Sequence, residues 1–407
     1  MKIAFFSDNF YPELSGIADS IFLTGSELAR RGHKIHYFVP KYSARDYEIV
    51  SMPEKELELG KNIKIHRGFS FHYPTPTMQG RLGIPNIFRS LSNNSFDVIH
   101  TNSFFGPGLD ALLFSKIKKI PLVGTNHTII EEFVHYSPIN AKLIKRFLLN
   151  YVVWYYNKCD FVSTPSEFLA RDMKKRGLNR PVEAASNPVD TGFFDQGKDR
   201  NALKKEFGFS DFVILYTGRI SSEKGIETLF NGFAEFVKGA PEAMLALVGG
   251  GTMRDKLRNE AKKLGLAQKI KFMGPYAGEN KKTFYDIYHA SEIFATASTS
   301  ESQCMSMMQA MAAGLPVIGA RAAALPEYVE KGHGLLFEPG NARDLARQLR
   351  TFHESETMRE HSTKGARKYA QELSVSAIAG RWENIYNETI TEYGRAKSQN
   401  KPNNSSL

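Results

Sequence analysis

The stretch "FVILYTGRISSEKGIETLFNGF", residues 212–233, holds one strand, one loop and the start of one helix. The run "FVILY" is apolar and predicts a buried strand, which ends at Gly218. From Gly225 onward, apolar residues recur at helical spacing and predict a helix. A buried strand followed by a helix is the repeating unit of a parallel α/β sheet.

The same alternation runs through both halves of the chain and predicts two doubly wound, Rossmann-like α/β domains that face a central cleft. Ligands of such sheets bind at the carboxyl ends of the strands, so the loops there are the candidate site. The expected division is an N-terminal domain (1–190), a C-terminal domain (191–375), a helix that packs back toward the N-terminal domain (376–393) and a polar, disordered tail (394–407).

Composition places the chain among cytoplasmic globular proteins. Its 407 residues are too many for one core and suit two domains. The two cysteines, Cys159 and Cys304, cannot form a disulfide framework and fit a reducing compartment. No apolar run is long enough to span a membrane, and the N-terminus turns polar too early for a signal peptide.

The positive charge is concentrated in one region. The net charge is +10, and residues 61–180 alone hold 17 Lys and Arg against 7 Asp and Glu, which also gives +10. Such a region predicts an anionic partner, namely phospholipid head groups, nucleic acid or an acidic glycan. The alternative is that these are ordinary solvated side chains that keep the protein soluble.

Three loops carry residues suited to an anionic, hydroxyl-rich ligand. Arg219 and Lys224 lie beside a predicted helix N-terminus and could clamp a diphosphate, or could be plain surface cations. "LVGGGTMRDKL" (247–257) is a glycine-rich turn without the dinucleotide spacing G-x-G-x-x-G. Glu301, in "STSESQCMSMMQAMAAGLPVIGA" (298–320), follows a strand and could accept hydrogen bonds from sugar hydroxyls. The first-turn amides of the next helix are further donors, at Cys304, Met305 and Ser306.

In this order, these motifs resemble the retaining, nucleotide-sugar-dependent glycosyltransferases of family 4, which have the two-domain GT-B fold. The likeness covers roughly residues 1–390. "GTNHTIIEEFVHY" (124–136) is further similar to a segment of diacylglycerol glucosyltransferases, enzymes of the membrane surface. The resemblance implies an N-terminal acceptor or membrane domain and a C-terminal nucleotide-sugar domain.

The resemblance also implies roles for individual residues. Gly16 would face the diphosphate, His127 would contact the donor sugar, and Glu301 would bind the sugar hydroxyls. The leaving diphosphate would be neutralised by Arg219 and Lys224, so no metal or other cofactor is expected beyond the nucleotide-sugar, with UDP-hexose favoured. The residues assigned to nucleotide-sugar binding are Gly16, Arg219, Lys224, Gly250, Cys304, Met305, Ser306 and Gln309, and those assigned to catalysis are His127, Glu301, Arg219 and Lys224.

Two positions depart from the family pattern. The second glutamate of the family motif, which usually binds the ribose, falls on Gln309, and a glycine of the motif is replaced by Cys304. A glutamine carbonyl can still accept a ribose hydroxyl, but it loses about 1–2 kcal/mol of charge-assisted strength. A catalytically weakened relative that acts as a scaffold is therefore one alternative.

The histidine-rich segment has a spacing that argues against zinc. His127, Glu131 and His135 lie four apart, whereas zinc hydrolases use H-E-x-x-H on one helix. The strand-like "PLVGT" before His127 places this histidine on a loop. The resemblance favours a donor-sugar contact over a structural histidine.

A basic, aromatic-bearing helix is predicted in residues 140–159. Lys142, Lys145, Arg146 and Trp154 lie there among apolar residues, which is typical of an interfacial anchor. The alternative is a core helix whose cations reach out to solvent. No recognised nucleic-acid-binding module is present.

The resulting hypothesis is a retaining hexosyltransferase on the cytoplasmic face of the membrane, to which it binds peripherally through anionic lipid. It would move glucose from UDP-glucose to a lipid such as diacylglycerol. A mannosyl- or galactosyltransferase acting on a soluble or polyprenyl-linked glycan is the alternative within the same class.

Overall fold

The computed structural model of the protein describes residues 1–50, 52–72, 81–83, 95–129, 142–193, 199–276 and 281–399; the side chains of residues 142–145, 193 and 281 are not described. The chain divides into two compact units. Unit 1 comprises Met1–Pro188 and Val375–Leu407, and unit 2 comprises Val189–Ser374.

Unit 1 is built on a seven-stranded sheet in which all neighbouring strands pair in parallel. Its strands, with a separate antiparallel pair β4 and β5, are β1 Lys2–Phe6, β2 Lys34–Pro40, β3 Ile63–Gly68, β4 Ser70–His72, β5 Arg81–Gly83, β6 Val98–Thr101, β7 Leu122–Thr125, β8 Phe161–Thr164 and β9 Val182–Ala184. The strand order is β3-β2-β1-β6-β7-β8-β9, so the direction of winding reverses between β1 and β6.

The helices of the first 188 residues begin where the sequence supplies caps. Ser15 accepts a hydrogen bond from the Ala18 amide at 3.2 Å, and Ser166 accepts one from the Leu169 amide at 3.3 Å. The apolar faces of both helices are buried. The helices are α1 Gly16–Arg30, α2 Ala44–Ile49, α3 Gly106–Lys118, α4 Lys142–Tyr156 and α5 Glu167–Lys175.

Unit 2 has a six-stranded parallel sheet. Its strands are β10 Phe212–Thr217, β11 Ala243–Val248, β12 Ile270–Met273, β13 Ile293–Thr296, β14 Val317–Ala320 and β15 Gly334–Phe337. Its helices are α6 Arg200–Phe207, α7 Ile226–Phe236, α8 Arg254–Lys263, α9 Lys281–His289, α10 Met305–Ala312, α11 Leu325–Val329, α12 Ala342–Glu354 and α13 Glu356–Glu372, with 3-10 turns at Thr191–Phe193 and Ser222–Lys224. The order β12-β11-β10-β13-β14-β15 reverses between β10 and β13.

The prediction of two doubly wound α/β domains with parallel sheets is confirmed. The central strands are buried along their whole length, as in β10 and β13, because helices cover both faces of a sheet of this kind. Each sheet has one switch point at which ligands of such folds bind, between β1 and β6 in unit 1 and between β10 and β13 in unit 2.

The last helix, α14 Val375–Gln399, packs in unit 1 against α1 and beneath the sheet. Trp382 and Tyr386 are buried there, and the Tyr386 hydroxyl lies 2.7 Å from His100 Nδ1. The helix passes the predicted end at residue 393, so residues 394–399 are helical and not a disordered tail; residues 400–407 lie outside the described ones. In the described part of the chain, no helix is long and apolar enough to cross a membrane.

Candidate functional site

Two glycine turns bring the backbones after β10 and β11 together. Gly249 has φ +145°, and a Cβ atom there would lie 2.0 Å from the Gly218 carbonyl oxygen. Only glycine fits a position with this conformation and this close an approach. At the neighbouring Gly250, by contrast, a Cβ atom would meet nothing within 4 Å. The backbone at this end of the sheet can therefore be approached closely by a ligand.

Lys224 and Glu301, predicted from separate motifs, meet at the switch point of unit 2. Lys224 Nζ lies 2.8 Å from Glu301 Oε1, and their side chains are 19% and 14% exposed. Gly225 makes this approach possible, because it has φ +63° and a Cβ atom there would lie 2.1 Å from the Ala297 carbonyl oxygen. Burial disfavours the ammonium, but the Glu301 carboxylate outweighs it and raises the pKa of Lys224. Lys224 thus stays a charged cation beside Glu301 at the strand ends.

Arg219, the second predicted diphosphate ligand, lies in the loop after β10. Its Nη1 is 3.2 Å from Glu223 Oε1, and one third of the side chain is exposed. Its backbone carbonyl accepts a hydrogen bond from the Tyr216 hydroxyl at 2.7 Å. The loop is therefore anchored to β10 while the guanidinium reaches solvent.

Cys304, Met305 and Ser306 form the start of α10. Cys304 occupies the cap position, but its side chain makes no capping hydrogen bond. The thiol is buried with its Sγ 3.4 Å from Ser306 Oγ, and burial raises the pKa of Cys304 to about 12. It is a neutral, unreactive thiol that packs beside the candidate site.

Gln309 is bound by a residue that the sequence did not single out. The Tyr288 hydroxyl donates to Gln309 Oε1 at 3.1 Å and lies 2.6 Å from Thr217 Oγ1. The carbonyl that we assigned to a ribose hydroxyl therefore already accepts a hydrogen bond within the protein. Tyr288 is fully buried on α9, where sequence alone gives no sign of a polar contact.

His127 lies directly after β7 in unit 1, on the predicted loop. Its Nε2 is 2.9 Å from Oδ1 of Asn102, the first residue after β6. Burial lowers the pKa of His127 to about 4, so the ring is neutral at physiological pH. Gly16 is the first residue of α1. Glu131 and His135 lie outside the described residues.

Two carboxyl groups near the end of β1, those of the partly buried Asp8 and the buried Glu13, were missed. Asp8 Oδ1 accepts from the Gly83 amide at 3.1 Å. Glu13 accepts from Asn9 Nδ2 at 2.7 Å and from the Tyr42 hydroxyl at 3.2 Å. Burial raises the pKa of each acid to about 7. In the sequence both acids look like ordinary loop residues. Their pKa values are raised only because the fold places other segments of the chain against them.

The predicted anchor helix, α4, has both a core face and an exposed aromatic face. Val152, Tyr155 and Tyr156 are buried, whereas Phe147 and Trp154 are 69% and 46% exposed. Arg146 is also exposed; Lys142 and Lys145 belong to α4, but their side chains are not described. One face of this helix therefore belongs to the core of unit 1, and the role of the exposed face as a membrane anchor stays a prediction.

No metal centre is found in the part of the chain that the structure describes. No three His, Cys, Asp or Glu side chains there lie together as a metal-binding group. The candidate site consists of cations, carboxylates, amides and open backbone, which together suit a ligand with phosphate and hydroxyl groups.

Known protein families match both halves of the chain. The profile described as Glycosyltransferase Family 4 matches residues 14–193, and the profile described as Glycosyl transferases group 1 matches residues 199–369. Together the two profiles cover most of both units.

The chain is also similar to individual enzymes. It is 28% identical over 336 residues to an alpha-monoglucosyldiacylglycerol synthase of Streptococcus pneumoniae, covering 78% of this chain and 70% of that one. Identity to the enzyme of the same name in Acholeplasma laidlawii is 23%, over 96% and 98% of the two chains. A D-inositol 3-phosphate glycosyltransferase of Corynebacterium aurimucosum is 26% identical, over 96% and 97%.

Solved structures share the fold. HepE of Anabaena in complex with UDP superposes with a TM-score of 0.75 at 21% identity, over 95% of this chain and 100% of that one. Sucrose-phosphate synthase of Thermosynechococcus elongatus has a TM-score of 0.75 at 19% identity, over 96% and 100%.

Proposed function

The chain belongs to the family 4 glycosyltransferases of GT-B fold, and from this we propose that it moves glucose from UDP-glucose to a membrane lipid such as diacylglycerol, with retention of configuration. The observation that carries the proposal is the 2.8 Å contact between Lys224 and Glu301 at the switch point of unit 2. It joins a cation for the phosphates and a carboxylate for the sugar hydroxyls in one place.

The chemistry of this pair suits a nucleoside diphosphate leaving group. An ammonium group has three N–H donors, so Lys224 can hold Glu301 with one and phosphate oxygens with the others. Arg219, with its exposed guanidinium in the same loop, supplies a second cation. Charge that develops on the departing diphosphate is then stabilised by groups already in position.

Retention follows from attack on the same face of the sugar as the leaving group. The acceptor hydroxyl forms the new C–O bond while the bond to the diphosphate breaks, and its proton passes to an oxygen of the departing phosphate. The neutral His127 would contact the sugar as a hydrogen-bonding group rather than as a charge. Arg219 and Lys224 perform the neutralisation, and the scheme invokes no metal.

UDP-glucose is proposed as the donor because of what is bound in similar structures and what similar enzymes are named for. Structures of HepE contain UDP, and one contains UDP-glucose. Two of the relatives in sequence are named for transferring glucose units to lipid. Gly250, whose position faces open space, and the first-turn amides of α10 would lie against the donor.

A lipid acceptor is proposed from the surface of unit 1. Phe147 and Trp154 on α4 present large exposed rings beside the exposed Arg146, in the region that carries the whole net charge of +10. Aromatic rings and cations together are what an anionic membrane surface binds. Lys142 and Lys145 would add charge to the same helix. The enzyme would then work on the cytoplasmic face of the membrane.

A soluble phosphorylated acceptor is the second candidate, because D-inositol 3-phosphate glycosyltransferases align over 96% of the chain. Mannosyl transfer is represented among the relatives as well. The two candidates share the donor site of unit 2 and differ in what binds to unit 1. Acceptor dependence therefore separates them.

The first experiment measures release of nucleoside diphosphate from UDP- and GDP-sugars, with and without anionic liposomes that contain diacylglycerol. We expect turnover of UDP-glucose that depends on the liposomes. Turnover that needs inositol phosphate and not liposomes would replace the lipid acceptor. A wild type that turns over no donor, with activity restored in Gln309→Glu, would mean that the glutamine has switched the site off.

The second experiment compares two lysines of unit 2. Lys224→Gln should lower kcat by about 10²–10³, the usual loss when one group that stabilises transition-state charge is removed. Lys256→Gln is the control, since Lys256 makes a similar 2.6 Å contact with Glu227 on the exposed surface. Equal activity of the two variants would contradict the proposed role of Lys224.

A further inference from the structure

A small polar cavity lies at the switch point of unit 1 and has room for about one water-sized group. It is enclosed by the ends of β1, β6 and β7, by α1, by the chain after β9 and by α14. Most of its lining side chains are polar, among them His100, Asn102, Thr125 and His127, and the apolar part of the wall includes Phe5 and Trp382.

Asn102 lines this cavity, and one end of its carboxamide is hydrogen-bonded whereas the other is not. Its Oδ1 lies 2.9 Å from His127 Nε2. Its Nδ2 is buried, yet it makes no hydrogen bond to any residue that the structure describes, although the side chain is only 8% exposed. A buried donor without a partner destabilises the folded state, so folded proteins seldom keep one unless a ligand or water completes it.

The electrostatics of the cavity select an uncharged ligand. Its titratable lining residues are His100 and His127, and burial lowers their pKa values to about 3 and about 4. Both rings are therefore neutral, and no carboxylate, lysine or arginine is among those lining residues that the structure describes. A phosphate would find no countercharge here, whereas a hydroxyl group fits both the size and the neutral donors and acceptors.

The contact with His127 also determines how that ring binds. Because Asn102 Oδ1 can only accept, His127 Nε2 carries the hydrogen, and in the neutral ring Nδ1 is then an acceptor. The amide of Asn102 is a donor, and it can serve the oxygen of a hydroxyl group, which accepts a hydrogen bond.

We propose that Asn102 is a substrate-binding residue whose amide donates to a substrate hydroxyl in this cavity while its carbonyl holds His127 in the matching tautomer. The inference rests on the proposed function for the identity of the substrate. Two sources can supply the hydroxyl, the hexose of the donor or the alcohol of the acceptor. The position of Asn102, first after β6 at the switch point, suits either.

The test uses the full chain with Asn102→Ala, which removes both contacts, and Asn102→Asp, which keeps the acceptor oxygen and removes the amide. Calorimetry gives Kd for UDP-glucose and for UDP, and kinetics give KM for diacylglycerol in liposomes. Asn157→Ala is the matched control, because its amide bonds to Gly177 O and Asn179 N at 3.0 and 2.8 Å, away from the cavity.

If the hydroxyl belongs to the donor, both Asn102 variants should bind UDP-glucose roughly ten-fold more weakly with the Kd for UDP unchanged. If it belongs to the acceptor, the KM for diacylglycerol should rise by a similar factor while donor binding stays constant. In either case the control should match wild type. A UDP-deoxyglucose that lacks the bound hydroxyl should bind wild type and variants alike.

Wild-type values for every ligand in both Asn102 variants would overturn the inference and mean that the cavity holds water only. An equal loss for UDP and UDP-glucose would also overturn it, since that pattern reports a disturbed structure. A wild type that binds no UDP- or GDP-sugar and no diacylglycerol would overturn both this inference and the proposed function. Donor binding by wild type with unaffected variants would overturn this inference alone.

Discussion

The Tyr288 hydroxyl donates a hydrogen bond to Gln309 Oε1 at 3.1 Å and contacts Thr217 Oγ1 at 2.6 Å. One lone pair of the carboxamide oxygen is therefore used, and the carboxamide is tied to the end of β10. The position at which relatives are expected to carry a ribose-binding glutamate is thus held in one orientation by a tyrosine on α9.

Tyr288→Phe should loosen this arrangement. The change leaves Gln309 and the buried Thr217 hydroxyl without their partner, so the free energy of unfolding should fall by about 1–3 kcal/mol. Affinity for UDP should fall as well, because Gln309 is no longer oriented. Urea denaturation and calorimetry measure the two effects. Tyr393→Phe, on the half-exposed part of α14, should change neither, and equal effects of the two substitutions would contradict the prediction.

Substitutions at adjacent glycines should separate folding from binding. Gly249→Ala should destabilise the protein strongly, because its Cβ would lie 2.0 Å from the Gly218 carbonyl. A Cβ atom at Gly250 would meet nothing within 4 Å, so Gly250→Ala should leave the free energy of unfolding unchanged. The KM for the donor should nevertheless rise several-fold, because the added methyl group would lie where the donor approaches the backbone. Gly274→Ala, also without a neighbour within 4 Å, is the control. A Gly250 variant with an unchanged KM would show that the donor does not approach there.

The partly buried carboxyl group of Asp8 should make stability depend on pH. Burial raises the pKa of Asp8 to about 7 from a usual value near 3.8. The folded chain then keeps a proton that the unfolded chain loses, so stability falls as pH rises through this window, and the penalty is complete above about pH 7. Asp8→Asn cannot ionise. Relative to this variant, the free energy of unfolding of the wild type should fall by about 1–4 kcal/mol between pH 4.5 and 8.

Urea denaturation at several pH values provides that comparison, with Asp344→Asn as a control of opposite sign. Although burial opposes it, hydrogen bonds from the Glu338 amide and Arg347 lower the pKa of Asp344. The stability that Asp344 contributes is therefore present at neutral pH and lost as pH falls through its lowered pKa. A wild type and an Asp8→Asn variant with parallel pH profiles would contradict the predicted shift.

The two tryptophans of the chain should respond in opposite ways. The buried Trp382 ring packs against the His100 ring, with 4.5 Å between the two ring centroids. Trp382→Ala leaves a cavity there and should lower the free energy of unfolding by about 3–5 kcal/mol. Trp154 is 46% exposed, so Trp154→Ala should lower the free energy of unfolding by less than about 1 kcal/mol. Co-sedimentation with anionic liposomes should nevertheless be weaker for the Trp154 variant. Unchanged sedimentation would argue against α4 as the membrane anchor.

The sequence predicted the elements whose causes are local. Apolar runs between turns gave the strands, and the loop after β10 could be picked out because a strand, two cations and a helix start lie within a few residues. Lys224 and Glu301 were both proposed from such motifs. Their contact could not be predicted, because 77 residues separate them and only the parallel order of β10 and β13 brings the loops together.

The missed residues owe their chemistry to distant parts of the chain. Asp8 is covered by Gly83, 75 residues away, and His100 is held by Tyr386, 286 residues away. Asn102 acquires its partner from the next strand end, at His127. Burial and pairing of this kind change pKa values and hydrogen-bonding roles without leaving a pattern in the local sequence.

The placement of α14 in unit 1 has a consequence for synthesis of the chain. Unit 2 is a single continuous segment, Val189–Ser374, whereas unit 1 needs Met1–Pro188 together with Val375–Leu407, which follow unit 2 in the chain. Tyr386 and Trp382 therefore reach His100 only after all of unit 2 has been synthesised. Although its strands precede unit 2 in the chain, unit 1 is the second of the two units whose parts are all available for folding.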